Sequence, residues 1–211
     1  MLMDDVAFFR RRQLWRRRRK FELVELPAET YDRMTLAMFS QDLYLQALTF
    51  AARAHGEQKT PIGLPYIVHV SSVAMEVMAA LRAEPGGDED LALVCALLHD
   101  VVEDSSTLPS ELEAAFGRRV ADGVSALTKD PSLAKPAAMR DSLDRILRQP
   151  AEVAMVKLAD RITNLAPPPP QWTAEKVSAY RAEAVLIADT LGAASAFLVS
   201  RLRQRIARYG R

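Results

Sequence analysis

The sequence predicts an all-α chain, and three observations carry that prediction. Apolar residues recur at helical spacing in most segments from Gln41 onward. Proline and glycine clusters, rather than hairpin turns, separate those segments. No alternating β-branched run and no Asn-Gly hairpin signal occurs.

The elements follow in order. Leu43, Leu45, Leu48, Ala51 and Ala52 mark a first helix ending near His55-Gly56. Lys59-Thr-Pro-Ile-Gly-Leu-Pro-Tyr66 is a loop, because two prolines and a glycine interrupt any period. Ile67 to Leu81 is a second helix, stopped by Pro85-Gly86-Gly87. Leu91 to Leu98 is unbroken apolar sequence, and its length would suit a buried strand. Asp88, Glu89 and Asp90 precede it and favour a helix N-terminus, so a buried helix is the better reading. Thr107-Leu-Pro-Ser110 with Glu111 opens a short helix that ends at Phe116-Gly117. Val120 to Leu127 continues before Lys129-Asp-Pro131 breaks the chain. Ala137 to Arg148 is amphipathic, with Met139, Leu143, Ile146 and Leu147 on one side. Val153 to Ala159 is a central helix, and Pro167 to Pro170 a stiff stop. Thr173-Ala-Glu-Lys opens a long helix through Val177, Tyr180, Ala184, Ile187 and Leu191, and Ala194 to Ala207 forms a last one. The sum is a bundle of roughly eight to ten helices.

The chain has 211 residues, 49% hydrophobic and 26% charged, which excludes a wholly disordered polypeptide. A net charge of +1 creates no global field for nucleic acid or an anionic membrane. No apolar run reaches the ~18 residues of a membrane span. The single cysteine, Cys95, allows neither an intrachain disulfide nor a cysteine-based zinc site, and fits a reduced, cytoplasmic setting. Residues 1–40 stand apart as a basic extension, with Arg10–Arg12 and Arg16–Lys20, expected to be poorly ordered. Met34 or Met38 would serve equally as a translation start. Residues 41–211 form the folded domain.

Chemistry concentrates in a few positions. The three histidines, His55, His69 and His99, each sit near an inferred helix end. His99-Asp-Val-Val-Glu103-Asp104 places an imidazole and three carboxylates directly after an apolar run. On a continuing helix, His99 stacks with Glu103 and Asp100 with Asp104. Burying that set costs several kcal/mol unless a cation compensates it. The alternative is an exposed cap cluster for the helix after Thr107. Lys157-Leu-Ala-Asp160-Arg161-Ile-Thr-Asn164 aims a second acid out of an apolar segment, with Asn164 one turn further on the same face. A mixed set of His69, His99, Asp100 and Asp160 suits Mn²⁺, Fe²⁺ or Zn²⁺ better than Ca²⁺. Periodicity alone does not bring those four together. Ser195, Thr190 and Cys95 have no base partner in sequence, so nucleophilic catalysis has no support.

His69, the pair His99-Asp100, and Asp160 resemble the ordered signature of the HD superfamily of metal-dependent phosphohydrolases. The strings Ala51-Ala-Arg-Ala-His55-Gly-Glu-Gln58, Pro65-Tyr-Ile-Val-His69, Ala96-Leu-Leu-His-Asp-Val-Val-Glu-Asp104, Phe116-Gly117 and Val156-Lys-Leu-Ala-Asp-Arg161 with Asn164 are similar to the hydrolase domain of RelA/SpoT-type proteins and to stand-alone small alarmone hydrolases. The resemblance covers about residues 41–166. It implies an HD-domain helical bundle that removes the 3′-pyrophosphate of guanosine 3′,5′-bis(diphosphate) with Mn²⁺. It implies metal ligation by His69, His99, Asp100 and Asp160, and a water-orienting or deprotonating pair in Glu103 and Asp104. It sets Asn164 near the ribose and leaves His55 structural. Lys59, Lys157 and Arg161 are the candidate phosphate cations, and Arg161 reads equally well as surface charge.

One departure matters. Where the family carries a base-stacking arginine, this chain has Thr60 followed by Pro61, beside Lys59. Guanine recognition is therefore open, and another nucleotide, an adenine alarmone or NADPH, is the alternative substrate. A third reading is a non-catalytic regulatory module whose basic arm docks on nucleic acid. The 41 or so residues after the polyproline are too few for a nucleotide synthetase domain, so the expectation is breakdown and not synthesis. The expected partner is a small nucleotide, with no membrane; nucleic acid is disfavoured and a homodimer is left open.

Overall fold

The computed structural model describes residues 39–210. The expected basic extension therefore lies, apart from its last two residues, outside the described residues. Ten α-helical segments follow: α1 (Gln41–His55), α2 (Ile67–Ala83), α3 (Glu89–Leu98), α4 (Val101–Asp104), α5 (Pro109–Phe116), α6 (Arg118–Leu127), α7 (Lys135–Ile146), α8 (Ala151–Asn164), α9 (Ala174–Leu191) and α10 (Ala196–Arg208). A 3₁₀ turn, Gly192–Ala194, joins the last two. Among the described residues there is no strand, only an isolated bridge between Lys59 and Pro65.

Local chemistry starts these helices where the sequence suggests. Ser40 caps α1 by accepting the Leu43 N–H at 3.2 Å, and Asp88 caps α3 by accepting that of Leu91 at 3.0 Å. Thr173 and Ser195 do the same for α9 and α10. Glu111 reaches back to the Leu108 N–H at 2.7 Å, half of a capping box, since Leu108 offers no side-chain acceptor. Gly117, at φ 84°, turns the chain between α5 and α6 in a conformation that L side chains avoid.

Helices α3 and α8 form the centre. Every residue from Leu91 to Leu98 is buried, as are those from Glu152 to Ile162 in α8. Helix α3 packs against α1, α2, α6 and α8, while α8 also packs against α9 and α10. Each fully buried leucine of α3 contributes about 1.5–3 kcal/mol of transfer free energy. Gly123 lets α6 come close: a Cβ there would lie 3.0 Å from both Cys95 Sγ and Val153 Cγ2. Two buried acids tie the periphery down. Glu76 of α2 pairs with Arg201 of α10, and Glu152 accepts the Asp88 N–H at 2.7 Å.

One condition fails and two expectations need correction. The helix through the apolar run ends at Leu98 as expected, so the condition that it continue to Asp104 is not met: His99 is its C-cap, and Asp100 (φ −104°, ψ −2°) precedes a separate single turn, α4. In α1 the core face is Ala47, Ala51 and His55, whereas Leu45 is 56% exposed and Ala52 is exposed. At 100° per residue, positions 45 and 52 fall about 100–120° round from the middle of that face, to its side. Helix α7 ends at Ile146, so Leu147 leaves the amphipathic face and is 57% exposed.

Candidate metal centre

The packing of α2, α3 and α8 brings three helix ends together. His69 lies in the first turn of α2, His99-Asp100 directly follows α3, and Asp160 lies four residues before the end of α8. His69, His99 and Asp160 offer one ligand atom each, all within 4.8 Å of one another. Asp160 Oδ1 is 3.5 Å from His69 Nε2 and 3.7 Å from His99 Nε2. Asp100 completes the group, its Oδ2 standing 2.9 Å from His99 Nε2 and 3.6 Å from His69 Nε2. The four residues selected from sequence thus converge in space.

Hydrogen bonds fix which ring nitrogen faces the centre. His99 Nδ1 lies 2.8 Å from the Ala96 carbonyl, which only accepts, so Nδ1 carries the proton and Nε2 a lone pair. His69 Nδ1 lies 3.4 Å from Thr163 Oγ1, whose own proton goes to the Asp160 carbonyl at 2.8 Å. Again Nε2 is left as the acceptor. Both Nε2 atoms are buried and make no aligned hydrogen bond. Lone pairs of two imidazoles and two carboxylates aimed at one point call for a cation. The donor set therefore fits a divalent metal ion.

Without an ion, protons take its place. Burial alone would lower the His99 pKa, but Asp100 and Asp160 outweigh it and hold the imidazole up to about 10. His69 is raised too, burial opposing and the same carboxylates prevailing. Burial would raise Asp100, yet the two histidines hold it well below the ordinary carboxylate range; for Asp160, Lys157 and the histidines do the same.

The other candidates take distinct places. Lys157 Nζ donates to Asp160 Oδ2 at 3.2 Å, both groups being buried, and Asn164 Nδ2 donates to Asp160 Oδ1. Arg161 is 4% exposed, pairs through Nη2 with Glu183 and lies 4.2 Å over the Tyr180 ring. Its Nε and Nη1 have no partner, so it is not surface charge. Glu103 and Asp104 lie on the rim of the same cavity, of about 200 Å³, with Asp100, Lys157, Asp160 and Arg161. Lys59 is not in that cavity. It lines a larger one of about 660 Å³ with His69.

Sequence reasoning missed several groups. Tyr66 donates its hydroxyl to Asp100 Oδ2 at 2.6 Å. Lys129 gives Nζ to Glu103 Oε1 at 2.7 Å and its backbone N–H to Oε2 at 3.1 Å. That carboxylate outweighs burial and raises the Lys129 pKa. Gln58 accepts at Oε1 from His55 Nδ1 at 2.8 Å and donates to Asp104 Oδ2 at 2.9 Å, so it links His55 to Asp104. Tyr66 and Gln58 lie inside the motif strings, whereas in sequence Lys129 marks only a chain break before Pro131.

An all-helical bundle whose helix ends gather two histidines and two aspartates defines a class, and residues 47–187 match the family model described as HD domain. The chain belongs to the HD-domain family. Within it, the chain belongs with the MESH1-type relatives. It is 34% identical over 172 residues to the guanosine-3′,5′-bis(diphosphate) 3′-pyrophosphohydrolase MESH1 of Danio rerio, covering 78% of this chain and 93% of the relative. It is 37% identical to MESH1 of Homo sapiens over 64% of this chain and 77% of that protein. A solved structure of a metazoan ortholog of SpoT that hydrolyzes ppGpp superposes with a TM-score of 0.69 at 30% identity, over 82% of this chain and 99% of that one. Among the described residues no helix is long and apolar enough to cross a membrane.

Proposed function

We propose that this chain is a metal-dependent hydrolase that removes the 3′-diphosphate of guanosine 3′,5′-bis(diphosphate), giving pyrophosphate and GDP, with Mn²⁺ held by His69, His99, Asp100 and Asp160. The observation that carries the reading is the convergence of two Nε2 lone pairs and two carboxylates beside a small polar cavity that carries three cations among five carboxylates. The relatives named as 3′-pyrophosphohydrolases support the substrate. A divalent ion bound there lowers the pKa of its water and offsets phosphate charge.

The protein groups divide the remaining work. Water oxygen attacks the phosphorus attached to ribose O3′, the P–O3′ bond breaks with its electron pair going to O3′, and O3′ takes up the proton that Asp104 removes from the water. Asp104 takes the proton of the attacking water, because one of its oxygens holds Gln58 and the other has no partner among the described residues. Glu103 has both oxygens engaged by Lys129, so it positions that ammonium towards the phosphates. Arg161 offers the three unpaired N–H groups of its Nε and Nη1 to the diphosphate under attack. Lys157 holds Asp160 ionised and in place rather than binding substrate.

Pyrophosphate release by the purified chain tests this. EDTA abolishes turnover and Mn²⁺ restores it if the reading is right. No release under saturating metal refutes it.

A further inference from the structure

The two cavities share a wall of Tyr66, Asn164 and Tyr180. The smaller is polar: Lys129 and Arg161 are its cations for a diphosphate, and Asp100, Glu103, Asp104, Asp160 and Glu183 line it as well, so a bound divalent ion has to offset their charge. The larger, about 660 Å³, is of a size that holds a small ligand and is lined mainly by apolar and aromatic groups. Trp172, Tyr180 and Tyr209 stand on it, contributed by the segments after the polyproline. Trp172 meets Tyr180 edge-on at 5.3 Å and 79°, and Tyr180 meets Tyr209 at 5.9 Å. Lys176 Nζ sits 4.1 Å over one face of the indole, so stacking falls to the other. Ile62, 76% exposed, and Leu64, 44% exposed, line the same cavity, apolar side chains held in water. No arginine lines this cavity, and the position of the missing one, Thr60, does.

We propose that Trp172 is the stacking platform for the purine base, with Ile62 and Leu64 as its apolar cover. The inference rests on the nucleotide reading above and extends it to how the base is recognised. A nucleotide with its 3′-diphosphate in the small cavity directs its base across the shared wall onto the aromatic side. Stacking engages the π-face that every purine offers, so it discriminates weakly between guanine and adenine. A site that reads the base by buried hydrogen bonds rejects an analogue lacking them by about 10⁴-fold or more.

The test uses the full chain with Mn²⁺ and measures pyrophosphate release from guanosine and adenosine 3′,5′-bis(diphosphate). Stacking losses of this kind correspond to roughly 5- to 100-fold in affinity. Trp172→Ala therefore raises KM about that much for both nucleotides and leaves kcat within about threefold, while Trp172→Phe stays near the parent. Mn²⁺ affinity is unchanged in both variants, a readout that damage to the metal centre would move. An unchanged KM in Trp172→Ala, in a parent that turns over, overturns the platform and leaves the hydrolase reading intact. So does a parent preference for one purine above about a thousandfold. If the parent releases no pyrophosphate, the hydrolase reading fails. Quenching of tryptophan emission by either nucleotide in EDTA then decides the platform. Quenching that disappears in Trp172→Phe supports it, and its absence in the parent, or persistence in Trp172→Phe, overturns it.

Discussion

Metal binding to this chain is expected to release protons, and the amount follows from the ion-free centre. His99, held up to about 10 by Asp100 and Asp160, carries its proton throughout the neutral range when no ion is bound. His69 is raised in the same direction by the same carboxylates. An ion that takes either Nε2 must displace that proton. Displacing one proton changes apparent affinity about tenfold per pH unit, so Mn²⁺ should bind about a hundredfold more tightly at pH 8 than at pH 6, or about 3 kcal/mol. Full displacement from His69 as well would steepen this. The sign reverses for the ion-free fold. The raised imidazoles stabilise it fully below their ordinary pKa of about 6.5, and that stabilisation is lost above it, for His99 as pH rises through about 10. Asp100 and Asp160 are depressed, so their contribution is present above about pH 4 and disappears in acid. Mn²⁺ should therefore raise the melting temperature more at pH 8 than at pH 6. Titration calorimetry in buffers of different ionisation enthalpy measures the protons released. Binding with no proton release and no pH dependence would refute the claim that protons hold the metal position.

Asp160→Asn removes the counter-charge of buried Lys157 and should cost about 3–5 kcal/mol in urea unfolding of the ion-free chain; Lys157→Met in the same chain should recover much of it. Lys129→Ala should lower kcat/KM about 10- to 100-fold while calorimetry shows unchanged Mn²⁺ affinity, because the lysine touches Glu103 and not the ligand set. Gly123→Ala forces a methyl to 3.0 Å from Cys95 Sγ and Val153 Cγ2 and should cost about 1–3 kcal/mol by thermal or urea melting, part of it relieved by Cys95→Ala. Burial pushes the Cys95 thiol up to about 12, so a thiol reagent should leave the folded chain unmodified and react after unfolding.

Helical periodicity located nearly every element because burial imposes a 3.6-residue repeat on the side that faces the core. Asp88, Glu111, Thr173 and Ser195 lie at helix starts where a short side chain satisfies an orphan N–H, a local rule that needs no tertiary information. Helix α1 shows where the rule weakens. Leu45 and Ala52 are apolar and still face water, since apolar character does not by itself select a face.

The site divides along the same line. Chemistry confined to short strings, His99-Asp100 after an apolar run and Asp160 at the end of another, was written in the sequence. A buried helix that ends in acids has few other uses. The convergence of His69 with Asp160, ninety-odd positions away, belongs to the crossing of α2, α3 and α8, which only packing sets. So do the unpaired N–H groups of buried Arg161, the grip of Lys129 on Glu103 and the aromatic wall around Trp172. Each joins residues far apart along the chain, and distances of that kind are fixed by side chains filling a common core rather than by any local preference.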